Sequence, residues 1–212
     1  MIALGLPPGR VEILCLGAHP DDIEIACGGF LLELGAQREV RATFATLTGS
    51  PTRREEARAA AAAFVPGADV RFWDLPDGRL PAHWGESKAG LEQLSRQISP
   101  DLVLCPSRDD AHQDHRLVAE LVTTVWRDAL VLEYEIPKWD GDLRPVTHYV
   151  PVSRENALRK VELLTACYPS QVGRDWWDEE TFLSIMRLRG IECRQRYAEG
   201  FVVRKAVLAV GA

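Results

Sequence analysis

Several features of common protein classes are missing from this 212-residue chain. No apolar run reaches the roughly 18 residues that a membrane-spanning helix needs. The net charge is -6 and the basic residues are scattered, which argues against nucleic acid or an anionic membrane surface as the main partner. The glycine fingerprint GxGxxG is also absent, which disfavours a dinucleotide-dependent oxidoreductase.

Cysteine usage is typical of a reducing compartment. The five cysteines are odd in number, widely spaced and mostly inside apolar runs, so the sequence predicts buried free thiols and no disulfide framework. No CxxC pair exists, which argues against a thiolate zinc site. The first five residues lack the basic segment of a signal peptide. We therefore expect a cytoplasmic protein, and the sequence leaves open whether it is a monomer or a homo-oligomer.

Strand and helix patterns alternate through the first 126 residues. The predicted strands span residues 11–18, 40–47, 69–75 and 101–105, and the predicted helices span residues 25–37, 51–64, 87–98 and 115–126. This alternating order predicts an α/β fold with a mostly parallel, Rossmann-like sheet flanked by helices. No repeat, low-complexity tract or linker marks a boundary, so we expect one domain over residues 1–212.

The last third of the chain is less regular. Its patterns predict strands over residues 131–136 and 147–152, helices over residues 154–166 and 179–196, and a terminal edge strand over residues 201–203. A polar and aromatic stretch containing Lys138 and Trp139 could line a pocket, and Trp176 and Trp177 could stack on a ligand. Tryptophans are more often packing residues, so these aromatics are weak candidates.

Two clusters of potential metal ligands each follow a predicted buried strand. The first is Ala-His-Pro-Asp-Asp at residues 18–22, and the second is His-Gln-Asp-His at residues 112–115. Parallel strands deliver the residues that follow them to the carboxyl edge of the sheet, where open α/β folds build their sites. Taken alone, either cluster would most simply be a turn or a helix cap. Together they predict one shared site.

The spacing within each cluster indicates hydrolytic metal chemistry. If Asp21 and Asp22 lie at the start of a helix, His19 and Asp22 are three residues apart and can converge on one cation while Asp21 stays free. His112 and His115 have the same spacing, so one imidazole can complete the metal site while the other faces the substrate. Two imidazoles and one carboxylate around Zn²⁺ leave a position open for water, which is the arrangement of a hydrolytic zinc site.

With these motifs, the chain resembles the PIG-L/LmbE-like zinc-dependent N-deacetylases. The resemblance covers nearly the whole sequence and rests on AHPDD at residues 18–22, CGG at 27–29, LPDG at 75–78, HQDHR at 112–116 and YAEGF at 197–201. It implies removal of an N-acetyl group from an amino sugar, commonly an N-acetylglucosamine conjugate. The partner would be that small molecule, with neither nucleic acid nor a membrane involved.

The resemblance also implies a role for each site residue, with one Zn²⁺ per chain or another divalent cation in its place. The implied metal ligands are His19, Asp22 and His115, the catalytic residues are Asp21, His112 and Asp114, and the substrate-binding residues are Arg53 and Asp77. Asp21 would be the general base. His112 would stabilise the oxyanion or protonate the leaving amine, oriented by Asp114. For Arg53 and Asp77, a solvated helix start and a turn explain the sequence equally well.

Departures from the family pattern are modest. Gln113 stands where proline is frequent, and the short chain indicates reduced substrate loops. Two alternatives stay open beside the sugar deacetylase: a zinc amidohydrolase acting on a non-sugar N-acyl substrate, and a non-catalytic carbohydrate-binding relative. The presence of both Asp21 and His112 speaks against the second alternative.

Overall fold

Seven strands form one sheet in the computed structural model, which describes residues 3–6 and 8–208. The strands are β1 Val11–Gly17, β2 Val40–Thr46, β3 Asp69–Phe72, β4 Leu102–Pro106, β5 Leu130–Tyr134, β6 His148–Val152 and β7 Tyr197–Val202. The helices are α1 Asp22–Gln37, α2 Pro51–Phe64, α3 Trp84–Ser95, α4 Gln113–Val125, α5 Arg154–Cys167 and α6 Glu179–Glu192, with a short 3₁₀ turn at Leu80–His83.

The sheet order is β3-β2-β1-β4-β5-β7-β6, and the first five of these strands are parallel. Apolar side chains of β1 and β4 are buried on both faces, as expected for a parallel sheet covered by helices. One face packs on α1, α2 and α5, and the other on α3 and α4. The predicted mostly parallel α/β sheet is therefore confirmed.

β7 corrects one sequence-based expectation, because it is not an edge strand. It lies between β5 and β6, pairs antiparallel with both, and begins at Tyr197, four residues before the predicted start. β6 is the edge instead, and its Pro151 suits that position because proline cannot donate a ladder hydrogen bond. The sequence pattern does not extend the strand back to Tyr197, because a charged residue such as Glu199 and a glycine such as Gly200 are unusual inside a buried strand.

The charge of Glu199 is balanced inside the core. Lys160 Nζ lies 2.7 Å from Glu199 Oε1 and donates to the carbonyl of Ile25 at 2.6 Å. The Glu199 carboxylate accepts from the backbone N–H groups of Gly29 and Phe30, in the middle of α1. Gly29 permits this approach, because a Cβ there would lie 3.0 Å from Oε1. This buried pair therefore fixes α1, whose first turn carries the metal-site candidates, against α5 and β7.

Replacing Glu199 by alanine should lower the free energy of unfolding by about 3–5 kcal/mol, because it leaves the buried Lys160 ammonium without its partner. Chemical denaturation of the variant measures this change. The control is Glu162→Ala on α5, the helix that carries Lys160. It removes an exposed pair with Arg159 and should change stability by less than about 0.5 kcal/mol. Equal effects of the two substitutions would contradict this role for Glu199.

All five cysteines are free and four of them are buried, in agreement with the thiol prediction. Within the described residues, no helix is both long and apolar enough to cross a membrane.

Candidate metal centre and active site

The segment 18–22 folds around the carboxylate of Asp22 at the end of β1. Asp22 is the first residue of α1, and its Oδ2 accepts from the backbone N–H groups of Ala18 and His19, both at 2.9 Å. Asp21 caps the helix with a φ of 104°, a left-handed conformation that is costly for a residue with a side chain. The turn therefore presents His19, Asp21 and Asp22 together, with backbone strain at Asp21.

The second cluster lies beside the first because β4 is the parallel neighbour of β1, with Ile13 opposite Leu102. His112 is the N-cap of α4, and its Nδ1 accepts from the backbone N–H of Asp114 at 3.2 Å. His115 lies in the first turn of the helix and is buried. The sheet topology thus brings the two sequence clusters to one place, as the strand order predicted.

Three side-chain atoms form a compact triangle between these loops. His19 Nδ1 lies 3.1 Å from His115 Nε2, His115 Nε2 lies 3.3 Å from Asp22 Oδ2, and His19 Nδ1 lies 3.6 Å from Asp22 Oδ2. Tetrahedral zinc, with bonds of about 2.0–2.1 Å to nitrogen or oxygen, separates its ligand atoms by about 3.3–3.4 Å. His19, Asp22 and His115 therefore fit one such ion.

Two other sets of three side chains also bring potential ligand atoms within 4.8 Å of one another. They are His19, His112 and His115, and His19, Asp77 and Asp114. His112 shares His19 and His115 with the triangle, whereas Asp77 and Asp114 approach the other nitrogen of His19, Nε2. Two of the three residues in the triangle, Asp22 and His115, are buried, whereas each of the other sets has one buried residue, so the triangle is the better candidate site.

The Asp22 carboxylate favours positive charge at the other two members of this triangle. Burial opposes protonation of His19, but the charge of Asp22 and hydrogen bonds to acidic neighbours outweigh it and raise the pKa of His19 to about 12. Burial likewise opposes protonation of His115, yet Asp22 raises its pKa to about 9. Burial alone would raise the pKa of Asp22, but the two imidazoliums hold it well below its usual range. The charge of Asp22 thus favours positive charge at the two imidazoles, and this donor set suits a metal ion.

Carboxylates contact the outer nitrogen of each imidazole in the triangle. Asp110 Oδ2 lies 3.0 Å from His115 Nδ1, although the ring N–H is not aligned for a hydrogen bond. Asp114 Oδ2 lies 3.3 Å and Asp77 Oδ1 lies 3.0 Å from His19 Nε2. Carboxylates placed in this way orient metal-ligating histidines and raise their basicity. Asp110 was not predicted from the sequence, since an aspartate pair in a loop carries no distinctive signal.

Asp114 contacts His112 through its backbone N–H, while its carboxylate has other partners. The carboxylate accepts from the backbone N–H groups of Gly78 at 2.7 Å and Leu80 at 3.0 Å, besides its contact with His19. Only the backbone N–H of Asp114 reaches His112. Asp114 therefore connects the loop 77–80 to His19. Its side chain is wholly buried, and both of its oxygens accept hydrogen bonds from that loop.

Asp21 lies next to the triangle and pairs with Arg53. Arg53 Nη2 is 2.7 Å from Asp21 Oδ2, contacts the carbonyl of Pro20, and its Nε is 3.5 Å from Glu56. Burial raises the pKa of Asp21 to about 7, and the Arg53 guanidinium opposes that rise. The structure thus places Arg53 at the proposed base, whereas Asp77 is a mostly exposed side chain over His19. Substrate binding by either residue stays a prediction.

Two imidazoles and one carboxylate with a separate carboxylate beside them form a donor set that suits hydrolytic metal chemistry. Comparison of the sequence with known proteins identifies the family. Residues 14–126 match the model of the PIG-L family, described as GlcNAc-PI de-N-acetylase, and the chain belongs to this family of deacetylases. The chain is also 30% identical to the uncharacterized deacetylase YaiS of Escherichia coli K12 over 140 residues, which cover 60% of this chain and 75% of YaiS.

Solved structures share the fold. The N,N'-diacetylchitobiose deacetylase of Pyrococcus horikoshii superposes with a TM-score of 0.74 at 20% identity, over 91% of this chain and 83% of that enzyme. GalB of Pseudomonas putida KT2440, a 4-carboxy-2-hydroxymuconate hydratase, has a TM-score of 0.78 at 19% identity, over 95% and 99% of the two chains. At these identities the likeness shows the fold alone.

Proposed function

We propose that this protein is a metal-dependent hydrolase that removes the N-acetyl group from an N-acetylglucosamine-type sugar conjugate. The observation that carries the proposal is the triangle of His19, Asp22 and His115 beside the free carboxylate of Asp21. Zn²⁺ suits this donor set of two imidazoles and one carboxylate. When bound, such an ion polarises an amide carbonyl and lowers the pKa of a bound water.

Asp21 is the general base of this proposal. Arg53 holds one of its oxygens, Oδ2, so proton transfer is assigned to Oδ1. A pKa raised to about 7 by burial matches a group that must both accept and return a proton near neutral pH. Asp21 takes a proton from the attacking water and gives it to the departing amine nitrogen, so the base is regenerated in each turnover.

His112 stabilises the oxyanion of the tetrahedral intermediate. Its Nδ1 accepts a hydrogen bond from the backbone N–H of Asp114, so this nitrogen carries no proton. Burial and the charges of His115 and His19 lower the pKa of His112, which favours the neutral ring with its proton on Nε2. A neutral Nε2–H donor fits the oxyanion role better than that of an acid for the amine.

The proposed substrate is a neutral or weakly charged amino-sugar conjugate. The family match and the name of the Pyrococcus enzyme support an N-acetylated sugar, and the net charge of -6 disfavours polyanions. Acetate release should therefore be compared between N-acetylglucosamine conjugates and acetyl-lysine peptides. We expect cleavage of the sugars only. Preferential cleavage of peptides would overturn the sugar assignment and leave a zinc amidohydrolase.

A hydratase is the alternative that experiment should exclude, because GalB is a hydratase with the same fold, and the fold alone does not distinguish the two reactions. Hydration adds water across a double bond and releases no acetate. Loss of absorbance of 4-carboxy-2-hydroxymuconate, without acetate release from any N-acetyl sugar, would favour this candidate over the deacetylase.

A further inference from the structure

Trp139 is a large apolar side chain held in a fixed place on the surface. Trp139 is 68% exposed, whereas tryptophan is highly buried on average in folded proteins. Its indole N–H donates to Asp175 Oδ1 at 3.2 Å, and its ring packs perpendicular to Trp176 at 6.1 Å between centroids. These contacts fix the indole while leaving most of it open, which is the arrangement of a preorganised stacking surface.

The loop that carries Trp139 contacts the residues next to His115. The preceding residue, Lys138, places its Nζ 2.8 Å from Asp110 and 2.7 Å from Asp142. Asp110 contacts His115, and Asp142 accepts from the backbone N–H of Ala111 at 2.7 Å. The loop that carries Trp139 is therefore packed on the loop that leads into the second cluster.

A series of aromatic contacts connects Trp139 with the pair of Arg53 and Asp21. Trp176 packs on Trp177 at 5.5 Å, and Trp177 packs on Tyr168 at 5.7 Å between centroids. The Arg53 guanidinium, which pairs with Asp21, lies over the Tyr168 ring at 5.9 Å. The loop that carries Trp139 is thus connected to the site through His115. The loop that carries Asp175 and Trp176 is connected to the same site through Asp21.

Two acidic residues adjoin this indole: Asp175 accepts from its N–H, and Asp140 is the next residue in the chain. Asp140 and Asp175 are exposed, and Asp142 already shares the charge of Lys138. A pyranose ring suits such a surface, because its C–H face can stack on the indole while its hydroxyls donate to carboxylates. A phosphate or carboxylate at the same place would be repelled.

We propose that Trp139 binds a second, neutral sugar ring attached to the N-acetylated sugar. This inference rests on the proposed function and extends it to the substrate class: a neutral disaccharide or larger glycan is preferred over a free monosaccharide or a sugar phosphate. The added contact exists both before and during amide cleavage, so it should lower KM and leave kcat unchanged.

The test compares N,N'-diacetylchitobiose, free N-acetylglucosamine and N-acetylglucosamine 1-phosphate as ligands of the metal-loaded protein. In Trp139→Ala, both Kd by calorimetry and KM for the disaccharide should rise about five- to tenfold, with both monosaccharides unaffected. Trp139→Phe should restore part of the affinity. Trp84→Ala, which removes an exposed tryptophan that contacts Glu120 on α4, should leave every constant unchanged.

Two results would overturn the inference: equal affinity of the wild-type protein for disaccharide and monosaccharide, including no binding of either, or an equal loss for both ligands in Trp139→Ala. Calorimetry separates this failure from failure of the proposed function. If the disaccharide binds through Trp139 but no acetate is released, the sugar site stands and the deacetylase assignment falls.

Discussion

Replacing Asp21 by asparagine is expected to lower kcat by a factor of about 10² or more while the bound metal is retained. Asparagine keeps the size of the side chain and an oxygen that can contact Arg53, but it cannot take a proton from water. Steady-state acetate release and metal analysis of the same preparation measure the two effects. KM should change little, because the lost interaction belongs to the transition state.

The matched control is Asp69→Asn, which changes an exposed aspartate that contacts Arg71 on the same strand. We expect wild-type kcat for this variant. If Asp21→Asn itself kept near-native kcat, the base would have to be elsewhere, and the buried Glu24 would be the next residue to substitute.

His115→Ala should remove both bound metal and activity. Its Nε2 is one corner of the triangle, 3.1 Å from His19 Nδ1 and 3.3 Å from Asp22 Oδ2. The loss in metal affinity should exceed the roughly 10- to 100-fold effect typical of removing an outer-shell partner. Titration of the metal-free protein with zinc, followed by calorimetry, measures this loss.

His148→Ala is the control for that experiment, since His148 lies on the edge strand β6 and contacts Thr147. It should bind metal like the wild-type protein. Full metal occupancy in His115→Ala would defeat the ligand assignment, whatever the activity of the variant.

The sequence was sufficient to predict where the two clusters meet. Each cluster directly follows an apolar strand, and the alternating pattern required parallel strands, so Asp22 and His115 could be expected at one edge of the sheet. The i, i+3 spacing of His19 and Asp22 also reflects a local property, the geometry of a helix start. Features determined by neighbouring residues are those that a single sequence reveals best.

Contacts between distant segments could not be predicted in this way. Asp114 turns its carboxylate toward Gly78 and Leu80, which depends on where the loop after β3 lies. Asp110 acquires its contact with His115 from the path of the loop after β4. The position of β7 between β5 and β6 depends on a buried partner for Glu199 that lies 39 residues earlier in the chain.

The central claim is that this chain hydrolyses an N-acetyl sugar with the aid of a metal ion held by His19, Asp22 and His115. The most direct measurement is acetate and free amine released from N,N'-diacetylchitobiose by the purified protein, after chelation and again after adding one equivalent of Zn²⁺. We predict no release from the stripped protein, and equal amounts of acetate and amine once zinc is restored. Acetate release at the full rate by the metal-free protein would contradict the claim, and so would no release by the zinc-loaded protein from any N-acetyl sugar conjugate.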